Sequence, residues 1–125
     1  MSVRVLVADD DLDVHEFLRD VLEISFDDVE IDKALDQEAF RRSIEGADAP
    51  YNLILLDYGL DGPDGTRVIE LLNGEFSRLR DRTVFLDGLR EEMDTDERVK
   101  GIPIIRKPFS LDTFGDIVKK ACVTC

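Results

Sequence analysis

At 125 residues the chain has the length of one domain, since single cores usually run to roughly 100–200 residues, and it is read as a single unit over residues 1–125. Hydrophobic residues make up 43% and charged residues 36%, which excludes a disordered chain; no apolar run approaches the roughly 20 residues needed to cross a bilayer, and no secretory signal precedes the first strand-like run. Twenty-nine acidic against 16 basic residues leave a formal net charge of −13, so the field of the molecule repels nucleic acid and anionic lipid and favours a basic partner surface or a divalent cation.

Strand and helix patterns alternate along the chain. Val3 to Ala8 is a short β-branched apolar run, and Val14, Phe17, Leu18, Val21 and Leu22 then fall on one helical stripe. Val29, Ile31 and Ala34 make a weak alternating strand. Ala39, Phe40 and Ile44 mark a second helix that ends near Gly46 and Pro50. Leu53-Ile54-Leu55-Leu56 is apolar without alternation, as a parallel strand buried on both faces requires. Val68, Leu71 and Leu72 give a third helix, stopped by Asn73-Gly74, and Thr83 to Leu86 a fourth strand. The acidic stretch from Leu89 to Lys100 carries few apolar residues and yields only a short helix, its acids reading as a solvated face. Ile102, Ile104 and Ile105 make a fifth strand, placed at a sheet edge by Pro103. Leu111, Phe114, Ile117, Val118 and Ala121 form the last helix, with Ser110 placed to cap it. The sum is α/β: a (βα)5, doubly wound, parallel five-stranded sheet of flavodoxin-like order 2-1-3-4-5.

That order decides where chemistry can sit. In open α/β sheets ligands bind beyond the carboxyl ends of the strands, where the strand order reverses, here between strands 1 and 3. Strand 1 ends in Asp9-Asp10-Asp11 and strand 3 in Asp57; strand 4 ends at Asp87-Gly88 and strand 5 at Lys107-Pro108. Two ionised carboxylates about 4 Å apart repel by about 4 kcal/mol at an effective dielectric of about 20, so such a cluster needs a cation, a shared proton, or both. A hard divalent ion with oxygen ligands suits it, Mg²⁺ above all. Lys107 adds a point charge able to pair with a phosphoryl oxygen, and the set would let Asp57 attack an activated phosphoryl group to give an acyl phosphate. Asp11, just before the first helix, reads equally as a helix cap.

Two further features stay outside that cleft. His15, the only histidine, reads as a surface or capping residue one turn into the first helix. The Cys122-x-x-Cys125 pair follows the last helix, whereas a redox C-x-x-C opens one, where the dipole lowers a thiol pKa; the pair reads as free thiols on a frayed tail.

Taken together, these residues resemble the receiver domain of two-component response regulators over essentially the whole chain. Val7-Ala8-Asp9-Asp10 is similar to the family's acidic pair, Leu55-Leu56-Asp57 to its phosphoacceptor strand, Gly65 to its loop glycine and Lys107-Pro108-Phe109 to its Lys-Pro motif. The resemblance implies a cytoplasmic signalling domain, not an enzyme acting on other substrates, whose Asp57 receives a phosphoryl group from a histidine kinase or a histidine phosphotransfer protein, with a downstream protein partner. It implies Mg²⁺ held by Asp10 directly, by Asp9 through water, by Asp57 and by the backbone carbonyl of Gly59.

Three positions depart from the family. Where it has Thr or Ser at the end of strand 4 this chain has Asp87, Thr83 being too early in the strand to replace it. Its switch aromatic before the lysine is Ile104, and the proline after the acceptor is Asp61, with Pro63 nearby. A carboxylate at position 87 opposes a phosphoryl oxygen unless it turns away, is protonated or joins the metal. Two versions of the resemblance follow: a phosphorylated domain with an altered output, and a pseudo-receiver that binds partners without phosphorylation. A Mg²⁺-dependent phosphohydrolase on a similar sheet is the rival from another class, but the second Asp such enzymes use as general acid is here Gly59. No Gly-rich nucleotide loop is present.

Overall fold

The computed structural model describes residues 2–48, 50–57, 60, 66–87, 101–106 and 110–123, with residues 66–69 and 87 described by their backbone only. Their elements are β1 (Val3–Ala8), α1 (Leu12–Ser25), β2 (Val29–Ala34), α2 (Gln37–Glu45), β3 (Leu53–Asp57), α3 (Thr66–Asn73), a 3₁₀ turn (Ser77–Arg82), β4 (Thr83–Asp87), β5 (Ile104–Arg106) and α4 (Leu111–Ala121). The expected short helix between β4 and β5 falls outside the described residues.

The five strands form one sheet in the order β2-β1-β3-β4-β5, and every neighbouring pair is parallel. Side-chain alternation along the three central strands builds two cores. Val5 and Val7, Leu53 and Leu55, and Val84 and Leu86 face α1 and α4, meeting Leu18, Leu22, Phe114 and Val118. Leu6 and Ala8, Ile54 and Leu56, and Phe85 face the other way, meeting Phe40, Ile44, Leu72 and Phe76. Burial on both faces is why these strands read as unbroken apolar runs.

The helix ends follow local side-chain chemistry. Asp11 caps α1 by accepting from the Asp13 N–H, Asp36 caps α2 by accepting from Ala39, and Ser110 caps α4 by accepting from Thr113. Gly46 closes α2. β5 is an edge strand, with Pro103 just before it giving its carbonyl to the Phe85 N–H at 2.9 Å. Gly101, at φ +88°, enters this strand through the left-handed region that glycine tolerates best.

Two polar clusters hold the edge of the sheet opposite the strand C-termini. The Tyr51 hydroxyl donates to Asp32 at 2.6 Å, and the Arg4 guanidinium lies over the Tyr51 ring, 5.1 Å from its centre, and 3.8 Å from Asp32. Burial and the Asp32 hydrogen bond push the Tyr51 phenol well above its ordinary value of 10.0. Asn52 forms the second cluster. Its Oδ1 accepts from the Arg4 N–H at 2.8 Å, its Nδ2 donates to the Val123 carbonyl at 2.8 Å, and its own carbonyl accepts from the Val123 N–H at 2.9 Å.

The clasp at Val123 corrects the reading of the tail. Cys122 is the C-cap of α4 and is disulfide-bonded, and no free thiol occurs among the described residues. The chain's only other cysteine, Cys125, lies outside them. A segment held by two hydrogen bonds to Asn52, one from its side-chain amide and one to its main-chain carbonyl, is not a frayed end.

Phe17 and His15 correct the reading of α1. Phe17 is 46% exposed, and His15 is 3% exposed. At 100° per residue the buried Leu18, Val21 and Leu22 define an inward direction from which His15 is turned by about 65° and Phe17 by about 95°. Helix phase, not polarity, puts the histidine inside.

Candidate metal and phosphoacceptor site

Register assembles the acids. Ala8 pairs with Leu56 across β1 and β3, so the next residues of each strand, Asp9 and Asp57, leave the sheet side by side; parallel neighbours are about 4.8 Å apart. Carboxylate oxygens of Asp9, Asp10 and Asp57 all lie within 4.8 Å of one another. Asp9 is buried, Asp57 half-buried and Asp10 exposed, so the Asp57 side chain is partly open to solvent.

Asp9 is held at several points. Its N–H donates to the Ala34 carbonyl at 3.0 Å, its Oδ1 accepts from the Asp11 N–H at 2.9 Å, and its main-chain carbonyl lies 2.7 Å from Nε2 of His15. The last contact was not foreseen in the sequence, where a lone histidine one turn into a helix carries no motif. The helix phase noted above was the available signal. Asp11 does what a cap does, and its side chain is spent on the Asp13 N–H.

The Leu60 N–H donates to the Asp57 carbonyl at 3.1 Å, and Leu60 is fully buried. On the other side Asp57 pairs with Leu86, which puts the backbone of Asp87 one step past Asp57 on the next strand, in register with Arg106 of β5. Lys107, Gly59 and the loop glycine Gly65 lie outside the described residues, as do Asp61 and Pro63. The structure therefore brings together Asp9, Asp10 and Asp57 and sets the backbone of Asp87 beside them.

The donor set is selective. Three carboxylates with neither imidazole nor thiolate among them suit a hard cation such as Mg²⁺ or Ca²⁺ and are a poor match for Zn²⁺ or Cu²⁺. The residues present thus fit the metal that the resemblance implies, with Asp9, Asp10 and Asp57 able to hold it.

No protein-family model matches the chain, and no curated protein sequence matches it. Solved structures do. The bacteriophytochrome response regulator AtBRR superposes with a TM-score of 0.79 at 21% identity, over 97% of this chain and 93% of the other. A response regulator receiver domain protein from Clostridium thermocellum gives 0.77 at 16% identity, over 95% and 93%. The receiver domain of NtrX from Brucella abortus gives 0.75 at 23%, over 94% and 96%. The fold is that of the response regulator receiver domains. In the receiver fold the β1–β3 crevice is where this chain gathers its acids, and the five-stranded parallel order read from the sequence stands. Among the described residues no helix is long and apolar enough to cross a membrane.

Proposed function

We propose that the protein is a phosphoacceptor domain of two-component signalling, with Asp57 as the acceptor. The observation that carries this reading is the meeting of Asp9, Asp10 and Asp57 within 4.8 Å at the crevice of a receiver fold. Three carboxylates this close repel one another and call for a cation, a shared proton, or both.

In this reading the phosphoryl donor is a phosphohistidine on a histidine kinase or a histidine phosphotransfer protein in the cytoplasm. An Asp57 carboxylate oxygen attacks phosphorus in line, the P–N bond breaks, the imidazole nitrogen leaves with its electron pair and takes a proton, and an acyl phosphate forms on Asp57. Mg²⁺, held by Asp9, Asp10, Asp57 and the Gly59 carbonyl, would supply charge neutralisation for the phosphoryl oxygens. Lys107 would pair with one of those oxygens, and Asp9, fixed by its backbone contacts, keeps the acid pair in place while Asp57 reacts.

Intact-mass measurement after treatment with acetyl phosphate and Mg²⁺ tests the proposal. One phosphoryl adduct is expected on the wild type and none on Asp57→Asn. A wild type that gains no adduct from acetyl phosphate or from a phosphohistidine donor overturns it in favour of a pseudo-receiver, the reading that Asp87 in place of Thr or Ser would then explain. Steady turnover of para-nitrophenyl phosphate would instead indicate a phosphohydrolase.

A further inference from the structure

The buried histidine of α1 has no place in the chemistry above, yet it touches the site. His15 is 3% exposed, its Nε2 is 2.7 Å from the Asp9 carbonyl oxygen, and its Nδ1 is buried with no hydrogen-bond partner among the described residues. A carbonyl oxygen only accepts, so Nε2 carries the proton. An imidazole buried with one nitrogen unsatisfied is costly in a place where an apolar side chain would cost nothing. Its return is a single N–H donor aimed at one peptide.

That peptide is the one between the two acids. The Asp9 carbonyl and the Asp10 N–H belong to the same rigid plane, so the plane's orientation sets both the exit of the buried acid and the start of the exposed one. Its carbonyl is the group His15 grips. We propose that His15 is a positioning residue, which clamps the Asp9–Asp10 peptide and thereby holds the two carboxylates at the spacing a divalent cation needs. The inference rests on the reading of the acid cluster as a cation site. Hydrogen-bond partners behind metal-binding groups commonly change metal affinity by 10- to 100-fold when removed.

The test uses Mg²⁺ alone, titrated calorimetrically into the wild type, His15→Gln, His15→Leu and Val118→Ala. Val118 lies fully buried in the α4 core and lowers stability without touching the site. His15→Leu should bind Mg²⁺ about tenfold more weakly. His15→Gln, whose amide N–H reaches the point Nε2 occupies, should stay within about threefold, and Val118→Ala within about twofold, of the wild type. A second readout needs neither metal nor variant: the long-range ¹H–¹⁵N spectrum of the imidazole should show the neutral ring protonated at Nε2. Wild-type affinity in His15→Leu, a loss in His15→Gln as large as in His15→Leu, or a ring protonated at Nδ1 alone would each overturn the clamp. A wild type that binds no Mg²⁺ while its ring shows the Nε2 proton would overturn the cation reading itself, and the clamp's purpose with it.

Discussion

Neutralising Asp10 should make the metal-free protein more stable. Its carboxylate lies within 4.8 Å of those of Asp9 and Asp57. Each such pair repels by about 0.9 kcal/mol at the dielectric of water and about 3.5 kcal/mol at an effective dielectric of about 20. The burial of Asp9 pulls toward the larger figure and the exposure of Asp10 toward the smaller, so about 1–2 kcal/mol per pair is reasonable, or about 2–4 kcal/mol for the two pairs. Against this, a negative charge just ahead of α1 is favoured by the helix dipole by about 0.5–1 kcal/mol. Asp10→Asn should therefore gain about 1–3 kcal/mol in chelator. A chain of 125 residues unfolds with an entropy near 0.26 kcal/mol/K, so Tm should rise by about 4–12 °C. Saturating Mg²⁺ reverses the order, because at about ten times its Kd the ion stabilises the wild type by about 1.4 kcal/mol, and more as its concentration rises, while the variant has lost a ligand. Thermal scans in chelator and in rising Mg²⁺ read both effects. An Asp10→Asn protein no more stable than the wild type in chelator would refute the claim that these carboxylates strain against one another.

Three other outcomes follow from separate parts of the molecule. On the proposed phosphoacceptor reading, Asp87→Thr replaces a carboxylate with a hydroxyl and should raise the yield or lifetime of the acetyl phosphate adduct by mass; an unchanged or lower signal would mean that the carboxylate is harmless or useful there. Because the Tyr51 phenol is held above its ordinary value of 10.0, the folded state keeps a proton that the unfolded chain loses above pH 10.0, and stability falls as pH rises through that range. Tyr51→Phe should flatten that fall by up to about 1.4 kcal/mol per pH unit in urea titrations between neutral and strongly alkaline pH, and equal slopes would refute the assignment. Gly101→Ala places a methyl where nothing lies within 4 Å but φ is +88°, so backbone conformation alone should cost about 1–2 kcal/mol, seen as a lower urea midpoint.

The sheet could be read in advance because each central strand is buried on both faces and therefore carries an uninterrupted apolar run, Leu53 to Leu56 most plainly. The acid cluster could be read because parallel register turns strand ends into spatial neighbours: once strands 1 and 3 are adjacent, Asp9 and Asp57 must meet. Errors arose where a single residue's direction mattered. Phe17 is apolar and fits an i, i+3, i+4 spacing, but it sits at the margin of the buried arc and turns to solvent. His15 is polar and lies within the arc, and its burial is tolerable because the Asp9 carbonyl accepts a hydrogen bond from its Nε2–H, a tertiary contact that hydropathy does not encode. The tail misled for a similar reason, since Asn52, seventy-one positions before Val123, reaches it only through the fold.

The Asn52 amide also bears on how the chain can be rewired. One side chain accepts from Arg4 near the first strand's start and donates to Val123 after the last helix, so the two ends of the described polypeptide lie side by side. A short glycine-serine bridge between them, with new termini cut at the exposed Gly74–Glu75 turn, would leave every strand and the acid cluster intact. Circular permutation is tolerated where ends adjoin and the cut falls in a surface turn, so the same amide that closes the barren edge of the sheet makes the order of its pieces along the chain negotiable.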